Sequence, residues 1–367
     1  MDQLRFNKEG NALEETIASH LTDISPLEEE YFQAAREHND SLCKPLGSLG
    51  TLEEIRERLW AITRGETRPF KKAIIVFAGD NGVCAEGISS NPQDITYKVC
   101  LNILSGRSGL GRIAAYYGVD VMLEDVAVLE DVAGHTGHKI RKGTGNIARG
   151  PAMTRSEAAR FILGGMERTF QLIGEGYDLI GAGEMGVGNT TTSAAVISVL
   201  TGKVPEDTTG LGSGLTREGL RHKTRVVEKA IAVNSPYGDV LDVLAKLSGG
   251  DIAAMTGCYL ACAARRIPFV LDGVISMAAF AAACEFSPLV QEYAFPSHAS
   301  IEHGARAVAE TFRLKPMLDL GMRLGEGSGC PMAMDLMECA VYTLDSMASF
   351  HDVSVNKNDY IDIREES

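Results

Sequence analysis

Along the first 64 residues, apolar positions recur every three to four residues in "PLEEEYFQAAREHNDSLCK" and again in "LGTLEEIRERLWAITR". That period predicts two amphipathic helices, joined by a loop over "KPLGSLG", residues 44–50. The period then changes. "KKAIIVFAGDNG" is a short unbroken apolar run ended by Gly-Asp-Asn-Gly, the pattern of a strand buried on both faces. Similar runs start at Val119 ("VDVMLEDVAV"), Tyr177 ("YDLIGAGEM"), Ile267 ("IPFVLDG") and Lys315 ("KPMLDLG"). Between them helical periodicity returns. It runs through "TRSEAARFILGGMERTFQLIGEG", where Thr154 and Glu157 have capping-box spacing, and over residues 190–200, 217–233, 251–264 and 301–312.

Strands alternating with helices at this spacing predict an α/β fold: a mostly parallel sheet with helices on both faces, spanning residues 65–330. The N-terminal segment, 1–64, and the last helical stretch with its tail, 331–367, predict a small helical lobe. The polar tail "NKNDYIDIREES" is expected to be mobile. No internal repeat is visible. Four of the runs end in "FAGD", "GAGE", "VLDG" and "LDLG". Open α/β sheets bind ligands outside the carboxyl ends of their strands, so these acids stand where a site would be.

Composition narrows the chemistry. A net charge of −14 over 367 residues argues against nucleic acid or an anionic membrane as partner, while leaving room for a local cationic pocket. The chain holds 39 glycines, which suits backbone that comes close to a ligand. Eight cysteines without a CxxC pair read as reduced, buried thiols. His135 and His138 in "GHTGHKI" find no partners for a zinc pattern, so no metal is expected. The N-terminus lacks an apolar signal region and no apolar run approaches ~18 residues, which predicts a cytoplasmic protein.

Several segments carry candidate chemistry. "GAGEMGVGNTTTSAA" (181–195) follows a strand and opens a helix. Gly183, Gly186 and Gly188 free its backbone, Asn189 or Thr190 can cap the helix, and the helix start offers N–H groups to a phosphate. It lacks the GK[ST] ending of a Walker loop and the glycine spacing of a dinucleotide fingerprint, and a tightly packed turn is the competing reading. Lys223 lies on a helix, where a lysine is usually a solvated charge. Asp251 in "LSGGDIAAMTG" reads as a partner of a helix dipole. "FPSHASIEHGA" gathers His298, Ser300, Glu302 and His303, but without a nucleophile elbow or triad spacing. "LGMRLGEGSG" (320–329) sets Glu326 between two glycines, either as an incidental acid on a turn or as a side chain to which a substrate comes close.

"KPLGSLG", "FAGDNGVCAEGISSNPQDIT", "GAGEMGVGNTTTSAA", "SGGDIAAMTG", "RRIPFVLDGVISMAAF", "SHASIEHGA" and "LDLGMRLGEGSGC" occur in that order. Together they resemble the nicotinate-nucleotide–dimethylbenzimidazole phosphoribosyltransferase family over roughly residues 40 to 345. The resemblance implies a Rossmann-like sheet with a small helical lobe, a homodimer, and no cofactor. It implies transfer of phosphoribose from nicotinate mononucleotide to an aromatic lower-ligand base of cobamides, with inversion at the anomeric carbon and release of nicotinate. Glu326 matches the general base and Glu184 a second acid beside the ribose. Gly186, Gly188, Asn189 and Thr190 match the phosphate cradle, with Lys223 and Ser300 also on the nucleotide. Asn91, Val99, Leu324 and Gly325 match positions around the base.

Two of these depart from the family pattern. Asn91 stands where a Ser often precedes the Pro of "EGISSNPQDIT", and Val99 where a Gln often follows its Thr. One polar contact to the acceptor is altered and one is lost. The acceptor is therefore open between dimethylbenzimidazole, other benzimidazoles, purines and phenols. With a phenol the chain would work beside a paralogue as a heteromer. A non-catalytic nucleotide-binding subunit is the reading from another class.

Overall fold

The computed structural model describes residues 4–8, 10–66, 68–212 and 214–356. The expected tail beyond Asn356 lies outside these residues. Three helices lead, α1 (Ala12–Leu21), α2 (Glu29–Ser41) and α3 (Thr51–Thr63), before β1 (Lys72–Gly79). Then come α4 (Ile95–Leu104), α5 (Gly109–Tyr117), β2 (Asp120–Ala127), α6 (Arg155–Gly174), β3 (Leu179–Met185), α7 (Asn189–Thr201) and the single turn α8 (Pro205–Thr208). The rest is α9 (Arg217–Asn234), α10 (Val240–Leu247), α11 (Gly250–Ala264), β4 (Phe269–Leu271), α12 (Val274–Phe286), β5 (Ala294–Pro296), α13 (His303–Thr311) and α14 (Cys330–Ser346).

The five strands form one sheet in the order β2-β1-β3-β4-β5, and every pairing is parallel. Residues 73–79 of β1 are buried on both faces, which is why its sequence is an unbroken apolar run. Helix α11 lies across β1, β2 and β3 with α6 and α12 packed against it. All fifteen of its residues are buried, and its Ala, Gly and Cys content lets neighbours come close on every side. The opposite face of the sheet is covered by α14, against β3 and β4, and by α5, against β2. Helix α3 packs on α14 and α2 on α3, so the two terminal segments meet.

One expectation changes. The strand expected from Lys315 is only one parallel bridge, His298 to Leu318. Pro316 offers no N–H to a ladder, and the chain turns away at Gly321, where φ is 62°. The sheet edge on that side is instead β5, three residues that end in Pro296 and lie in no longer apolar run. Helix α6 starts as expected: the Thr154 hydroxyl accepts from Glu157 N at 3.2 Å and the Glu157 carboxylate from Thr154 N at 2.8 Å.

From β1 the chain steps outward to β2, then returns past β1 to β3. The crossover reverses between β1 and β3, and a crevice opens outside their carboxyl ends. Phe77 pairs with Glu184 there, so the acid that ends β3 stands at the mouth of that crevice.

Candidate active site

A cavity of ≈ 250 Å³ occupies the crevice. Asn91, Val99, Glu184, Gly186, Gly188, Asn189, Thr190, Lys223, Ser300, Leu324, Gly325 and Glu326 all line it. They come from separate segments of the chain that only the fold brings together.

The run from β3 into α7 forms one wall. Gly188, at φ 92°, is the N-cap of α7, and no side chain caps the helix. The capping expected of Asn189 or Thr190 therefore does not occur. Asn189 Nδ2 instead donates to Glu184 Oε2 and, at 3.0 Å, to Asp251 Oδ2. Two buried carboxylates sharing one amide gain more from it than a helix end that a ligand can satisfy. Thr190 Oγ1 accepts from Lys223 Nζ at 2.8 Å, and Gly210 O accepts from the same nitrogen at 3.1 Å. Lys223 is 1% exposed rather than solvated. Burial pulls its ammonium down to about 8, against an opposing pull from Glu302. Its third N–H and the uncapped start of α7 make this wall suited to an anion.

The opposite chemistry lies in the loop before α14. Gly325, Glu326 and Gly327 have φ of 80°, 62° and 88°, three successive left-handed residues. Glycine adopts this conformation freely; Glu326 does so at a cost of roughly 1–2 kcal/mol. The turn aims the Glu326 carboxylate at the start of α5, where Leu110 N donates to it at 3.4 Å. Burial raises the Glu326 carboxyl; the Leu110 N–H and the Ser108 hydroxyl pull it back, and the charge of Asp272 raises it further. Glu184 Oε1 accepts from Glu326 N at 3.3 Å, so the second acid holds the backbone of the first. Glycine at 183 permits this approach, because a Cβ there would collide with the carbonyl of Glu326.

Glu184 is 8% exposed, and burial, reinforced by the charge of Asp251, pushes its carboxyl up to about 8. Asp251, in the first turn of α11, is raised by burial to about 6. Burial and the charge of Asp251 thus favour the protonated form of Glu184 in the unliganded protein, and a cation placed against it would favour the ionised form.

Residues to which the sequence assigned no role in the site complete it. Asp272 follows β4 and accepts from Gly327 N at 3.0 Å and Gly329 N at 2.8 Å. Its signal was the strand-ending "VLDG". Ser108 caps α5 by accepting from Gly111 N, a short N-cap pattern lost among glycines. Ile88, Ile95 and Met185 supply apolar wall, and Arg323 and Glu302 supply charge. His298 stays out of the cavity wall: its Nδ1 is 2.9 Å from Ser297 Oγ and 3.8 Å from Asp272 Oδ1. Among the described residues no group of His, Cys, Asp and Glu could hold a metal ion.

The chain is similar to known phosphoribosyltransferases. The model of a phosphoribosyltransferase family matches residues 24–355. The nicotinate-nucleotide–dimethylbenzimidazole phosphoribosyltransferase of Acetivibrio thermocellus is 44% identical over 342 residues, 92% of this chain and 97% of that protein. That of Clostridium tetani is 41% identical over 358 residues, covering 96% of this chain and 98% of that one. The crystal structure of CobT from Thermus thermophilus superposes with a TM-score of 0.86 at 39% identity, over 89% of this chain and 99% of that one.

Proposed function

The chain belongs to the nicotinate-nucleotide–dimethylbenzimidazole phosphoribosyltransferase family, and on that premise we propose that it moves phosphoribose from nicotinate mononucleotide to an aromatic base, with Glu326 as general base. One observation carries the reading. The carboxylates of Glu326 and Glu184 share a cavity with Lys223 and the open start of α7. The phosphate takes the α7 N–H groups and the Lys223 ammonium, with Ser300 also on the nucleotide, which fixes C1′ for attack. The pyridinium meets Glu184 and draws it toward its ionised form. The C1′–N bond breaks with its electron pair returning to the ring nitrogen, so nicotinate leaves without cationic charge on its ring. The acceptor's unprotonated ring nitrogen bonds to C1′ from the other face, and the proton on its second ring nitrogen passes to Glu326. A carboxylate raised by burial takes that proton more readily than an exposed one would.

The acceptor lies among Asn91, Val99, Leu324 and Gly325, with Ile88, Ile95 and Met185 beside them. This wall is apolar apart from the Asn91 amide and Ser89, which suits a flat base with few polar edges. It also favours a second reading, transfer to a phenol, and Val99 is the position where the two diverge. We further read the protein as a cytoplasmic homodimer. Leu101 and Leu104 on α4 and Tyr116 on α5 are exposed and suit burial against a second copy.

The test is a competition. Nicotinate mononucleotide is given with equal benzimidazole, dimethylbenzimidazole, adenine, phenol and p-cresol, and products are identified by mass. α-Ribotides of the benzimidazoles are expected to dominate, and Val99→Gln is expected to shift the benzimidazole-to-phenol ratio several-fold. No turnover by the purified chain would defeat the reading in favour of a heteromer or a non-catalytic subunit. An unchanged ratio in the variant would take Val99 away from the acceptor.

A further inference from the structure

Glu326 stands on backbone that does not hold itself. Its left-handed conformation lies between two left-handed glycines, and the local bonds are few: Ser328 N to Gly325 O at 2.9 Å and Cys330 N to Gly327 O at 3.1 Å. The bonds that tie the turn down come from elsewhere. Asp272, 2% exposed at the end of β4, uses one carboxylate oxygen for Gly327 N and the other for Gly329 N. Those two N–H groups bracket Ser328, so a bidentate acceptor fixes both the exit of the turn and the start of α14. Asp272 is itself anchored, since its own N–H donates to Ser276 Oγ at 2.9 Å.

We propose that Asp272 is a positioning residue for Glu326, fixing the exit of the left-handed turn that aims this carboxylate into the cavity. The inference rests on the reading of Glu326 as the base. Asp272 does not line the cavity, so it acts through the loop and not on substrate. Burial raises its carboxyl, while His298 and the N–H groups of Gly329, Gly327 and Gly273 favour its ionised form. No neutral side chain of the same shape can replace it. An Asn at this position has one acceptor oxygen for two N–H groups and would turn its amide N–H toward the second. One end of the turn would be released.

A double-mutant cycle on the purified full chain tests this, using Asp272→Asn, Glu326→Gln and the pair, with nicotinate mononucleotide and benzimidazole. Misplacing a proton acceptor by about 1 Å costs on the order of 10²-fold, and kcat of Asp272→Asn is expected to fall by about that factor. Its KM for nicotinate mononucleotide is expected to stay within about threefold, because phosphate binding does not use the loop. The pair is expected to be no slower than Glu326→Gln alone, since there is then no base left to position. A pair slower by the product of the two single losses would overturn the proposal and leave Glu326 as base. A raised KM at unchanged kcat in Asp272→Asn would overturn it in the same way. Wild-type turnover in Glu326→Gln would remove the base reading and this inference with it. Should circular dichroism show Asp272→Asn unfolded, Ser276→Ala, which loosens the Asp272 backbone, goes through the same cycle under the same criteria.

Discussion

The two charged parts of the cavity wall are built in different ways. The start of α7 is nearly contiguous: strand, turn and helix follow within residues 179–201, and Lys223 joins from only 33 residues away. Local backbone bonds close its turn, such as Asn189 N to Gly186 O at 3.2 Å, and Thr96 Oγ1, from α4, accepts from Val187 N at 3.1 Å. The loop of Glu326 is held from a distance: Asp272 lies 55 residues before Gly327, Glu184 142 residues before Glu326, and Leu110 216 residues before it. A phosphate presents the same oxygens in every nucleotide, so a short local segment can encode its cradle. A proton acceptor must be placed against one atom of one base, at an accuracy that a glycine-flanked turn cannot supply alone.

If the two parts divide the work in this way, their variants should fail differently. Glu326→Gln is expected to lose about 10²–10⁴-fold in kcat, the usual worth of general base catalysis, with a near-normal KM for nicotinate mononucleotide. Steady-state kinetics decide, and a variant that kept kcat would erase the distinction. Lys223→Met should do the reverse. Loss of a charge-assisted bond worth about 1.5–3 kcal/mol should raise that KM roughly 10–100-fold while kcat changes less. Calorimetric titration of the nucleotide gives the same answer independently, and unaltered binding would move the phosphate elsewhere.

The smallest effect concerns protonation without substrate. Glu184, raised to about 8, and Asp251, raised to about 6, bind more protons folded than unfolded. Their stabilisation is complete below the ordinary carboxylate range and is lost as pH rises through about 6 and then about 8. Lys223, lowered to about 8, has the opposite sign: stability returns as pH rises from about 8 toward its unfolded value. Thermal melts of the unliganded protein should therefore decline by a few degrees from about pH 5 to about pH 8. Glu184→Gln should flatten the upper half of that decline. A flat wild-type profile would mean that Glu184 is ionised already.

Much of this was readable along the chain. The longer strands showed themselves because burial on both faces leaves no polar alternation. Capping of α6 was visible because Thr154 and Glu157 satisfy each other within one turn. Strand β5 was not visible: its three residues end in Pro296 and lie in no longer apolar run, whereas the equally short β4 showed itself inside "IPFVLDG". Nor was the true duty of Asn189: the amide that could have capped α7 is drawn to two acids, one of them 62 positions away.

Sequence alone therefore determined the parallel α/β architecture, the family, and which residues are candidates for the chemistry, because residue type, period and motif order are properties of the chain. Tertiary structure decided the electrical state and aim of those residues. Lys223 is buried rather than solvated, the Glu184 carboxyl is pushed toward its protonated form, and Glu326 points at the start of α5 from a loop that Asp272 ties down. Burial, shared hydrogen bonds and the fields of neighbouring carboxylates exist only when distant segments meet, and they set how each group titrates and where it stands.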